Sequence, residues 1–332
     1  MDERSLVLKY ILLPNGGKIP TIGLGTFIDN QYVSEGSDGK LAIAIRNAIS
    51  LGYRHIDTAW MYNTEADVGC AVKEKIQDGT VAREDLFIVT KLWRNFLSHD
   101  QVSKAFHRSL KELDMTYVDL YLIHSSTGLK FNSNPRQHYP DVDDYTPYFD
   151  DVDYVDTWKE MEELVDAGLV KSIGVSNFNI QQIERILAVA RHPLSVVQVE
   201  MHPYLSQSDL LQFCRKRNIV VTAYSPLAWG GQPLPKPPAP VPLNENPTVK
   251  SIALKHKKSP FQVVLRYELQ LGVAVIPKST NQKHIHENFH VFDFKLSKEE
   301  MRDIASLNIN YRLLDQHKFK GHVHFPFCDE EV

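Results

Sequence analysis

Short apolar strands alternating with amphipathic helices run through most of this chain, and that alternation restricts its fold more than any other feature. Candidate strands lie near residues 23, 56, 88, 121, 172, 197, 221 and 275, in TIGLGT, RHID, LFIVTK, VDLYLIH, LVKSIGV, SVVQVE, IVVTAY and VAVIP. Between them apolar residues recur at helical spacing, as in Leu41, Ile45, Ala48 and Ile49, or Trp158, Met161, Leu164 and Val165. A helix after each strand brings the chain back to the same end of the sheet, so the strands pair in parallel. Eight such units point to a closed (β/α)8 barrel, an α/β fold of roughly 250 residues that tolerates insertions. Asn15-Gly16 between apolar runs predicts a hairpin ahead of the barrel. Ser297 and Glu300 form a capping box for a helix beyond it. Extra helices and loops are therefore expected around the barrel, within one domain spanning residues 1–332.

Two stretches break the repeat. One is the segment 125–152, which holds most of the acidic run Asp141 to Asp153; the other is the proline-rich run Pro226 to Pro247. Cutting the chain at the second would leave two unclosed half-sheets, so an ordered loop over the barrel mouth is expected rather than a linker. The formal charge of −4 gives no reason to expect nucleic acid or an anionic membrane as partner. No apolar run approaches a membrane span, and the start MDERS lacks the layout of a secretory signal. Cys70, Cys214 and Cys328, odd in number and far apart, fit a reducing compartment, so a cytoplasmic location is expected.

The polar residues fall at strand ends. Asp57, Lys91, His124, Ser176-Asn177, Gln198, Tyr224 and Lys278-Ser279 all lie at or just past the carboxyl end of a candidate strand. Loops converge at that rim in (β/α)8 enzymes, so seven polar termini there make a site. Asp57 and Lys91 end neighbouring strands and can pair, and Tyr62 follows on the next loop. A phenol beside an ammonium is expected to lose its proton more easily, making a tuned acid of Tyr62. His124 can orient or polarise a carbonyl oxygen. An acid facing a carbonyl still requires a reductant. GLGTFI is not a dinucleotide fingerprint, because Ile28 stands where the third glycine belongs. A better phosphate site is IPKSTNQK, where a helix is expected to begin near Asn281, with Lys278, Ser279 and Thr280 just before it.

HIDTA with Tyr62 close behind, LIH ending at His124, GVSNF from Gly174, Gln198, HPY from His202, AYSPL from Ala223 and IPKS from Ile276 stand in order along the chain. Together they resemble the aldo-keto reductases, from about residue 10 to near the end. The resemblance implies a catalytic tetrad of Asp57, Tyr62, Lys91 and His124, and a monomer that reduces a carbonyl substrate with NADPH. It implies that Ser176, Asn177 and Gln198 hold the nicotinamide carboxamide and that Tyr224 stacks on its ring, with Gly25, Thr26, Ser225 and Leu227 also at the cofactor. Lys278, Ser279 and Thr280 would take the 2′-phosphate, with His284, Glu287 and Asn288 near the adenine. Asp153 to Leu164 looks like insect members that include ecdysteroid reducers. Three positions depart from the family pattern: His284 stands for an arginine, and Ser125 and Phe27 for tryptophans. Neutral imidazole offers less charge than guanidinium, which weakens the expected NADPH preference. Ser125 makes room beside His124 for a bulky or flexible substrate. Phe27, Met61, Trp93 and Trp229 either line that pocket or are ordinary rim packing.

Two other classes remain open at this point. A metal-dependent hydrolase could use His55 and Asp57, two apart and on one strand face, though Lys91 would repel the cation; no metal is expected. The acidic run lacks the glycine and terminal glutamate of a calcium loop, and His322 with His324 is read as a loop pair. A cofactor-binding regulatory or structural protein on the same scaffold would bind NADPH tightly without turnover.

Overall fold

The computed structural model describes residues 9–28, 39–132 and 145–328; Asp141, Asp143 and the MDERS start lie outside them. Eight strands form a parallel sheet: β1 (Leu24–Gly25), β2 (His55–Asp57), β3 (Phe87–Leu92), β4 (Val118–Ile123), β5 (Val170–Ser176), β6 (Leu194–Glu200), β7 (Val220–Tyr224) and β8 (Ala274–Val275). Neighbours in sequence are neighbours in space all along the sheet. Its two edges meet. The Gly23 and Gly25 amides donate to the carbonyls of Val275 and Pro277 at 2.8 and 3.2 Å, and the Val275 amide returns to Thr21 at 2.8 Å. Gly25 suits this seam, since a Cβ there would lie 2.8 Å from the Ile276 carbonyl oxygen. The (β/α)8 barrel expected from the alternation is thus closed.

Helices α1 (Lys40–Leu51), α2 (Glu65–Gln77), α3 (His99–Leu113), α4 (Tyr154–Asp166), α5 (Ile180–Leu187) and α6 (Ser208–Lys216) follow the first six strands. After β7 come α7 (Pro247–His256) and α8 (Pro260–Gln270); α9 (Gln282–Phe289) and α10 (Lys298–Ala305) follow β8. Helix α7 was not expected. Its signals are Asn246, whose side chain accepts from the Thr248 and Val249 amides, and Pro247 at the first helical position. The proline-rich run before it is ordered, with Leu234 and Leu243 buried against Val249, Val263 and Ile304.

The barrel is filled by side chains one layer at a time. Phe87 and Val89 on β3, Leu120 and Leu122 on β4, Val196 on β6 and Val220 on β7 pack together inside it with Ile19. Ile19 belongs to the expected hairpin, Tyr10–Leu12 with Lys18–Pro20, which closes the floor. Asn15 at its turn donates to the Lys171 carbonyl and to Ser172, both at 2.8 Å. Alternate strand residues face the same side. Continuing up β3, β4, β6 and β7 by twos from that apolar layer reaches Lys91, His124, Gln198 and Tyr224. The apolar plug and the polar rim are one period-two pattern that changes composition partway up.

Candidate active site

At the rim, Asp57 and Lys91 are almost wholly buried, at 1% and 0% exposure. Lys91 Nζ donates to Asp57 Oδ1, to the Thr58 carbonyl at 2.9 Å and to the Tyr62 hydroxyl at 3.5 Å. The other carboxylate oxygen of Asp57 accepts from Gln198 Nε2 at 2.8 Å. A buried pair is tolerable only with such satisfaction of its remaining donors and acceptors. Tyr62 lies in the 3-10 turn Trp60–Tyr62. Its ring meets Phe27 and His124 edge-on, with centroids 5.1 and 5.5 Å apart.

The phenol does not behave as the sequence predicts. Burial first, and the Asp57 carboxylate second, hold Tyr62 well above the ordinary tyrosine value. Burial outweighs the lowering expected from Lys91, and the carboxylate of Asp57 adds to the rise. Lys91 itself is lowered by burial, against the pull of Asp57. His124 is pushed well below its ordinary value by burial, then by Lys91 and Arg94, so its ring is neutral. A neutral imidazole can donate one N–H and cannot act as an imidazolium acid.

Other predicted residues gather around this centre. Asn177, held at φ 60°, donates through Nδ2 to the His124 carbonyl at 2.9 Å and to Ser176 Oγ at 3.1 Å. Its Oδ1 accepts from the Tyr224 hydroxyl at 2.6 Å. Tyr224 is thereby pinned by its hydroxyl. Thr26 donates to the Asp57 carbonyl at 3.0 Å. Ser225 is also left-handed, at φ 49°, and Leu227 is partly buried against the hydrophobic core. Trp93 meets His124 edge-on at 5.0 Å. Ser125 is buried, with its hydroxyl 3.2 Å from that of Thr127. Met61 is half-buried, while Trp229 is 45% exposed.

At the barrel seam Lys278 pairs with Gly25 as an isolated parallel bridge, and Lys278 and Thr280 are exposed. Helix α9 starts where expected, capped by Asn281. That side chain accepts from the Lys283 and His284 amides at 2.9 and 3.3 Å, so these two amides at the helix start are already bonded. The side chains that could meet a phosphate here are those of Lys278, Ser279, Thr280 and the exposed His284. Glu287 is half-buried and Asn288 buried on the same helix.

His55 and Asp57 do not share a ligand. His55 Nδ1 lies 3.0 Å from the Pro20 carbonyl at the floor, whereas Asp57 is bonded to Lys91 and Gln198 at the rim. Among the described residues no three His, Cys, Asp or Glu side chains could hold a metal ion.

The segment 311–328 was not read as part of the site, yet it covers it. Glu200, buried at the end of β6, accepts from the amides of Leu313 and Leu314 at 2.6 and 2.8 Å and contacts His202 at 3.0 Å. Ser126 and Gln182 hold the His324 carbonyl at 2.8 and 2.9 Å. Glu65 was also missed. It is 3% exposed at the start of α2, accepts from Thr90 Oγ1 at 2.6 Å, and is raised to about 7, chiefly by burial. A carboxyl raised in the fold keeps its proton where the unfolded chain has lost it. Its stabilising contribution is full below the unfolded value and declines as pH rises toward 7. Glu65→Gln is therefore expected to flatten a fall on the order of 3 kcal/mol between mildly acidic and neutral pH. Urea unfolding of both proteins across that range checks this; parallel profiles would refute it.

Sequence comparison agrees with this architecture. Residues 21–309 match the model of the aldo/keto reductase family. The chain belongs to that family. It is 44% identical to aldo-keto reductase family 1 member C15 of Rattus norvegicus over 331 residues, covering 97% of this chain and 98% of that protein. It is 44% identical to prostaglandin F synthase 1 of Bos taurus, covering 99% and 100%. Estradiol 17 beta-dehydrogenase 5 of Mus musculus is 43% identical with the same coverage. The aldose reductase structure from Schistosoma japonicum superposes with a TM-score of 0.86 at 39% identity, covering 98% of this chain and all of that one. This aldo/keto reductase family member is an oxidoreductase built on the barrel described above.

Proposed function

We propose that this aldo/keto reductase converts aldehydes or ketones to alcohols with NADPH, Tyr62 being the proton donor. The arrangement of Tyr62 against Lys91, itself held by Asp57 and faced by neutral His124, carries the reading. The donor set at the rim fits a nicotinamide nucleotide with a 2′-phosphate. Gln198 spends its amide nitrogen on Asp57, leaving its oxygen to accept from a carboxamide. Ser176 and Asn177 lie beside it, the Tyr224 ring offers a flat face, and an ammonium with two hydroxyls sits at Lys278, Ser279 and Thr280. The nucleotide supplies the hydride.

The remaining chemistry belongs to the protein. His124 donates its N–H to the carbonyl oxygen and fixes its position. As negative charge gathers on that oxygen, the phenol gives up its proton. An alkoxide is far more basic than phenolate, so a phenol raised by burial is acid enough, and it stays protonated until needed. Lys91 then lies beside the phenolate left behind. Re-protonation is expected from solvent at the mouth.

Ser125, the C-terminal cover and the aromatic rim support a bulky or flexible substrate, such as a ketone of ecdysteroid size or a lipophilic aldehyde. We further read the chain as one domain, monomeric and cytoplasmic. Its three cysteines are free, and among the described residues no helix is long and apolar enough to cross a membrane. Turnover of a panel of aldehydes, sugars and ketosteroids with each nucleotide tests the proposal; tight NADPH binding without any turnover would defeat it. His284→Arg is expected to tighten NADPH about tenfold through a guanidinium–phosphate pair, and NADH less than about twofold. Equal tightening of both would place His284 away from the phosphate.

A further inference from the structure

Arg94 is the charged group at this site that none of the roles above employs. It opens the 3-10 turn Arg94–Phe96 directly after Trp93 and is 3% exposed. One guanidinium nitrogen, Nη2, donates to Gln316 Oε1. Nε and Nη1 are buried with no partner, and among the described residues no carboxylate pairs with it. The face of Phe319 lies 3.9 Å from the guanidinium carbon and Trp93 lies 5.4 Å away. Aromatic faces offset part of the cost of a desolvated cation, but they satisfy none of its N–H groups. Burial presses Arg94 down to about 9, which still leaves it charged at neutral pH.

We propose that Arg94 anchors the substrate by a carboxylate, so that the preferred substrate is an oxo acid, with its carbonyl at Tyr62 and His124. Three observations locate the anchor beside the reaction centre. Trp93, the residue before Arg94, touches His124 edge-on. The Arg94 charge is felt at His124. Its cover, Gln316 and Phe319, belongs to the C-terminal segment over the mouth rather than to the barrel. A carboxylate displacing the neutral Gln316 amide would replace one bond with a charged, bidentate pair and engage the donors now idle. The inference rests on the reductase reading, because it supposes that the carbonyl is reduced.

Straight-chain ω-oxo acids and their methyl esters test it, since they share the aldehyde and differ in charge. With NADPH the wild type is expected to prefer the best acid over its ester by at least about tenfold in kcat/KM. Arg94→Gln is expected to lose about 30- to 100-fold on the acid and under about threefold on the ester. Arg94→Lys should recover part of the loss, because it keeps the charge but not the fork. Equal use of acid and ester by the wild type would overturn the proposal without any variant, as would a parallel loss on both in Arg94→Gln. Calorimetric binding of heptanoate separates the two readings. If neither aldehyde is reduced but heptanoate binds and Arg94→Gln weakens it, the anchor stands and the reductase reading falls. Heptanoate binding unaffected by Arg94→Gln overturns the anchor.

Discussion

Tyr62→Phe will lower turnover by roughly 10²–10⁴-fold while nucleotide affinity stays within about twofold. The substitution removes one oxygen and keeps the ring, so the edge-on contacts with Phe27 and His124 survive. Lys91 loses its bond at 3.5 Å but keeps Asp57 and the Thr58 carbonyl. What disappears is the proton. His124 cannot replace it, because burial together with Lys91 and Arg94 keeps the imidazole neutral. Single-turnover hydride transfer measured across neutral pH, beside nucleotide titration, separates loss of chemistry from loss of binding. A variant reducing aldehydes at near-normal rate would remove Tyr62 from the proton transfer. So would an equal loss in binding and turnover.

Asp57→Asn is expected to destabilise the fold by about 3–5 kcal/mol and to cripple turnover with it. Lys91 is fully buried, and asparagine leaves it a neutral amide oxygen, the Thr58 carbonyl and the phenol, with no negative charge to offset its own. Desolvation already lowers its affinity for a proton; with the counter-charge gone, the neutral amine is favoured. Gln198 also loses a charged acceptor at 2.8 Å. The double variant Asp57→Asn/Lys91→Met removes both charges and should be more stable than the single one. Urea unfolding of the three proteins is the measurement. A single variant as stable as the wild type, or one no worse than the double, would mean that the pair is not held as buried charge.

Much of this was legible because it is local. Short apolar runs between helices of period 3.6 placed all eight barrel strands, and Asn15-Gly16 and Ser297 with Glu300 marked a turn and a helix start that the fold contains. Polar residues at successive strand ends located the rim. Helix α7 escaped notice because its Asn246-Pro247 start is submerged in a run of prolines that reads as loop. The segment 311–328 escaped for another reason. Glu200 binds the amides of Leu313 and Leu314 across 113 and 114 residues, and nothing in the intervening sequence announces it.

The sequence alone therefore determined the barrel and which polar groups stand at its strand ends, since both follow from patterns within a few residues. The tertiary structure decided how those groups behave. Burial beside Asp57 raises Tyr62 where its neighbour Lys91 suggested the reverse, and Gln316 and Phe319 of the segment 311–328 enclose the Arg94 cation. Proton affinity and charge balance depend on how much water is excluded and on which distant groups close over the site, and both are set only when the chain has folded.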